Sequence, residues 1–154
     1  MTARLRAKVG GTAVLLLLAS GCGGGKEAAK EQDKGFEKAA DQTTCVEDAR
    51  ALGKLPSGFP ADFPFPQGAV VYHAEDRDEV GVIVTAITFS SLRDVLAALN
   101  GPAQQAGFKV TNGETEEHDA EANWTGNGFR GRWAIKDSAT CQGEVSIQVL
   151  AAKS

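Results

Sequence analysis

His118-Asp119-Ala120-Glu121-Ala122-Asn123-Trp124-Thr125-Gly126-Asn127-Gly128-Phe129-Arg130-Gly131-Arg132-Trp133-Ala134-Ile135-Lys136 decides the fold. Side chains alternate in character on both sides of a Gly- and Asn-rich centre, the pattern of an antiparallel hairpin. Read with a loop over 125–128, Trp124 pairs with Phe129, Ala122 with Gly131, Ala120 with Trp133 and His118 with Ile135. Small residues then sit opposite or beside large rings on one face. The other face sets Asn123 against Arg130, Glu121 against Arg132 and Glu117 against Lys136. The two opposite-charge pairs in this register contribute about 0.2–1 kcal/mol each.

Outward from this hairpin the strand pattern continues. Residues 141–151 alternate, with Val145, Ile147, Val149 and Ala151 on one side and Glu144, Ser146 and Gln148 on the other. Keeping apolar against apolar requires an odd loop after Ile135's strand, and three or five residues both satisfy it. Upstream, residues 69–73 and 80–89 read as strands, the second apolar on both faces and therefore central. Ser90 or Ser91 caps a helix in which Leu92, Val95, Leu96, Leu99 and Ala103 form one stripe. Asn100-Gly101-Pro102 threatens to split it, and Gly107 ends it. Residues 108–111 form a further strand, closed by an Asn112-Gly113 turn. The expected architecture is α+β: an antiparallel sheet of about five strands, β-β-α-β-β-β, with one main helix on one face. The opposite face, carrying Arg130, Arg132, Lys136, Glu144 and Gln148, is expected to be solvated.

Two segments precede the sheet. Thr44-Cys45-Val46-Glu47 has the form of a capping box and predicts a short N-terminal helix through Leu52. Phe59-Pro60, Phe63-Pro64 and Phe65-Pro66 place three rings on extended backbone. These phenylalanines suit a hydrophobic lid better than an apolar ligand groove.

The N-terminus carries Arg4, Arg6 and Lys8, a short apolar run over 9–18, then Ala19-Ser20-Gly21-Cys22. This is the layout of a secretory signal, and the run is too short for the ~20 residues that cross a bilayer. Ala19-Ser20-Gly21-Cys22 resembles the lipobox of bacterial lipoproteins, although Ala19 replaces the usual branched aliphatic. The resemblance implies cleavage before Cys22, a diacylglyceride on its sulfur and often an amide-linked acyl chain. Each buried methylene adds about 0.8 kcal/mol of membrane affinity. The expected organisation is a signal peptide at 1–21, a flexible Lys-, Glu- and Ala-rich tether at 22–43 and a single α+β domain at 44–154. Once Cys22 is acylated, Cys45 and Cys141 remain, and an extracytoplasmic compartment favours their bridge over two buried thiols. The domain also resembles small uncharacterised bacterial lipoproteins in its Phe-Pro segment and its helix followed by Ala106-Gly107-Phe108, a likeness that brings no activity with it.

All 20 acidic residues follow Cys22, whereas three of the 16 basic ones precede it, so the mature chain carries −7 against −4 overall. That balance disfavours nucleic acid as a partner. His73 and His118 lie in no catalytic motif, and there is no nucleophile elbow, phosphate loop or Cys/His metal spacing. The acidic run over 114–119 lacks the calcium-loop pattern and reads as a solvated turn. No enzyme activity, cofactor or metal is expected. The expectation is a lipid-anchored, non-catalytic binding module of the cell envelope, held to the membrane through Cys22 and engaging a protein partner. Arg130, Arg132 and Lys136 are the candidate partner face. The alternative is a carrier or sensor of a small apolar or lipidic ligand, held near Phe59, Phe63 and Phe65.

Overall fold

The computed structural model describes residues 44–154; the signal, Cys22 and the tether lie outside the described residues. Six strands make one antiparallel sheet: β1 (Val70–Asp76), β2 (Val82–Thr88), β3 (Lys109–Thr115), β4 (Asp119–Gly126), β5 (Phe129–Asp137) and β6 (Val145–Lys153). Their spatial order is β1-β2-β6-β5-β4-β3. Helices α1 (Leu92–Asn100) and α2 (Pro102–Gln105) carry the chain from β2, across one face, to β3 at the far edge. The architecture is the expected α+β sheet with one main helix, but with six strands in place of about five.

The helix forms for local reasons. The Ser91 hydroxyl accepts from the Asp94 N–H at 3.2 Å and donates to the Asp94 carboxylate at 2.7 Å, closing the N-terminus in both directions. Val95 and Leu99 are buried beneath it. Pro102 has no N–H to donate, so it opens α2 instead of continuing α1. Gly107, at φ +94°, ends α2, and the Phe108 N–H returns to the Ala103 carbonyl.

The core lies between these helices and the sheet face bearing Val84, Ala86, Trp133, Ile135, Ile147 and Val149. The Phe-Pro run seals its open side. Phe59 and Phe63 are buried, and the Phe63 ring stands 5.2 Å from Phe108 and 5.4 Å from Trp124, centroid to centroid. Such ring pairs contribute about 0.5–1.5 kcal/mol beyond the area they bury.

The central hairpin is real, but its register lies two residues from the expected one. Trp124 opposes Gly131, Ala122 opposes Trp133, and Ala120 opposes Ile135. Asn127 and Gly128 sit at φ 51° and 79°, so they alone make a tight two-residue turn in place of the four-residue loop. A shift of two preserves every residue's face. It also improves the match: a Cβ on Gly131 would collide with the Trp124 ring, so the indole occupies the space that glycine leaves. The Glu121–Arg132 ion pair survives as a diagonal contact. The other two expected cross-strand partners change, to Asn123 with Arg132 and Asp119 with Lys136.

Other expectations are corrected. Asn112-Gly113 is not a turn; β3 runs through it to Thr115 and bulges between Val110 and Asn112. The β5–β6 connection, residues 138–144, is odd as parity required, but seven residues long. It folds on itself, with Cys141 N–H on Ser138 Oγ and Ser138 N–H on the Glu144 carbonyl. No helix forms over 44–52, only a turn in which the Asp48 and Ala49 N–H groups share the Cys45 carbonyl. The reason is tertiary. Thr44 N–H, which Glu47 would accept in a capping box, donates to the Tyr72 hydroxyl, and Leu52 N–H donates to the Val71 carbonyl, while Cys45 is bonded to Cys141 and Val46 N–H donates to Glu144 Oε2 at 2.9 Å. The segment is a strap from the β5–β6 connection to β1.

The face away from the helix is only partly solvated. Glu144, Ser146 and Gln148 are buried, as are Ile83 and Ile87. They lie on or beside β2 and β6, which have neighbours on both edges, and the strap is tied to Glu144 on this side. The solvated part is the outer region around Asn123, Arg130 and Lys136.

Candidate functional site

At one end of the sheet the close of β2, β3 and β5 meets the start of α1, β4 and β6. The chain turns there leave a cleft of about 760 Å³. Leu92 and Leu96 supply its apolar surface, and the buried Val145 lies at its floor. Phe89 stands beside them with 67% of its surface exposed. The local cause is a short polar turn: Ser90 N–H donates to Thr88 Oγ1 at 3.1 Å, β2 stops at Thr88, and Phe89 is turned out of the sheet. Sequence periodicity places Phe89 inside the strand with Ile87, which the structure corrects. The serine-bounded end of that strand was the signal for the bend.

Carboxylates dominate the polar walls. Glu116 and Glu117 come from the β3–β4 turn, and Asp137 from the end of β5; Arg93 is the basic residue among them. Glu144 also contributes, but one of its oxygens is engaged by the strap at Val46. His118 Nδ1 lies 3.0 Å from Asp137 Oδ2, and its Nε2 lies 3.9 Å from Glu117. The hydrogen bond to Asp137, then the negative charge of Glu117, raise the His118 pKa above its ordinary value of 6.5.

The residues singled out from sequence are distributed elsewhere. Arg130, Arg132 and Lys136 alternate along β5 and so share the face away from the helix. Arg132 is half-buried and paired with Glu121, whereas Arg130 and Lys136 are exposed. Phe59, Phe63 and Phe65 touch one another, with ring centroids 5.1–6.1 Å apart, as a lid against the core. Cys45 and Cys141 form a disulfide with Cα atoms 5.5 Å apart. Cys45, Cys141 and Glu144 are the metal-suited trio among the described residues, but both sulfurs are committed to each other and neither is a thiolate.

No family model, curated protein or solved structure matches this chain.

Proposed function

We propose that the chain is a lipoprotein of the bacterial cell envelope, tethered outside the cytoplasm through a lipidated Cys22, whose domain is a non-catalytic binding module for an envelope protein. The Cys45–Cys141 bond carries this reading. It is the kind of structural disulfide that persists in oxidising compartments, and it takes up both cysteines other than Cys22. The positive N-terminus, the short apolar run and Ala19-Ser20-Gly21-Cys22 supply the export and lipidation signal. Two acyl chains or more give stable anchoring where one is marginal. The binding role draws support from the cleft and its exposed aromatic side chain. The ligand-carrier alternative finds no such support, because Phe59, Phe63 and Phe65 are packed on one another and on the core.

Metabolic labelling with palmitate tests the anchor. The full chain is expected to take up label and to fractionate with the membrane. Cys22→Ala is expected to take up none and to accumulate as precursor or soluble protein. Processed, membrane-bound Cys22→Ala protein overturns the reading.

A further inference from the structure

We infer that the cleft at the end of the sheet docks a basic peptide segment of a partner protein, one that carries an apolar side chain between its cations. The inference rests on the binding-module reading and specifies its site. A single exposed phenylalanine on a protein surface is ordinary. Phe89 differs in its setting, because it lines a concave surface with the partly exposed Leu92 and Leu96. Its position is held by the Thr88–Ser90 hydrogen bonds on one side and the capped start of α1 on the other.

Charge selects the occupant. Glu116, Glu117 and Asp137 outnumber Arg93 in the walls even with one Asp137 oxygen engaged by His118 beside the cleft. An apolar molecule would cover Phe89 while stripping water from carboxylates it cannot pair, which is costly. A small polyamine would pair with the carboxylates and leave the apolar surface wet. A peptide with lysine or arginine flanking an apolar residue satisfies both parts at once. A guanidinium or ammonium group can also lie on the exposed face of the Phe89 ring. The cleft's volume of about 760 Å³ accommodates several side chains, more than one amine needs.

The probe is a synthetic heptapeptide with one phenylalanine between lysines, titrated into the full chain with its lipid removed and followed by backbone NMR. Three further probes run alongside: a peptide with glutamates for the lysines, one with alanine for the phenylalanine, and spermidine. The basic aromatic peptide is expected to bind with a Kd well below a millimolar and to shift the amides of Phe89, Leu96 and Gln142. Phe89→Ala, and Glu116→Gln combined with Glu117→Gln, are each expected to weaken it about fivefold or more. All three side chains are exposed, so these variants retain the fold. Added salt is expected to weaken binding. Equal binding of the acidic peptide, of the alanine peptide or of spermidine overturns the inference, as does binding that leaves the cleft amides unmoved. A photo-crosslinking residue at position 130 keeps the two claims apart. A partner adduct there in intact cells, with no response in the cleft, retains the binding module and removes the cleft as its site.

Discussion

His118 sits at the tip of the β3–β4 turn, exposed, yet its proton is held by Asp137 at the end of β5. Its folded pKa lies above the unfolded one, so the protonated pair stabilises the fold below about pH 6.5. That contribution disappears as pH rises through the folded pKa. An NMR titration of the imidazole is expected to give a midpoint above the ordinary histidine value, and Asp137→Asn is expected to lower it. A midpoint unchanged by that substitution shows that the contact does not form in solution. At this scale the face of a residue was legible, but not its packing partner. The pattern puts Trp124 and Gly131 on one face but sets Trp124 against Phe129, and the glycine that its ring covers emerges only in the folded register. Phe89 was not legible, because strand periodicity continues past the residue where a Thr-Ser hydrogen bond stops the strand.

The two Asn-Gly pairs carry the lesson about elements. Both have the composition of a tight turn, but only Asn127-Gly128 makes one, with both residues at positive φ. Asn112-Gly113 lies inside β3, where glycine permits close approach: a Cβ on Gly113 would press on the Glu121 carbonyl and on Ala122 of β4. The same substitution therefore acts by different mechanisms. Gly128→Ala meets no neighbour within 4 Å and costs only the left-handed backbone, about 1 kcal/mol. Gly113→Ala must push two strands apart and is expected to cost more, up to about 3 kcal/mol. Chemical denaturation of the two variants checks the ranking, and a reversed order refutes the assignment of turn and strand. Thr44–Leu52 is the complementary case. The residues of a capping box are there, but the Thr44 N–H goes to the Tyr72 hydroxyl and the Leu52 N–H to the Val71 carbonyl, and one turn is all that forms.

Across the whole molecule, the Cys45–Cys141 bond joins positions 96 residues apart and pins the strap beside the β5–β6 connection. In the chain-entropy model a loop of that size lowers the entropy of the unfolded chain by an amount worth about 4–5 kcal/mol. Replacing both cysteines with serine is expected to lower the unfolding free energy by that order, read from denaturant midpoints of the otherwise unchanged chain. A loss below about 1 kcal/mol means that the strap is held by its hydrogen bonds alone. Strand periodicity, the Leu92–Leu99 stripe and the helix break at Pro102 were all set by the sequence, because alternation and helical spacing are local properties. Facing parity was set as well, since a register error of two residues leaves each side chain on its own face. Tertiary structure alone decided the exact register, the seven-residue connection, the strap and the end-of-sheet cleft. Each depends on which distant groups meet: Glu144 with Val46, Cys141 with Cys45, Gly131 with the Trp124 ring. Spacing along a chain does not encode such meetings, because many registers satisfy the same local pattern and only close packing separates them.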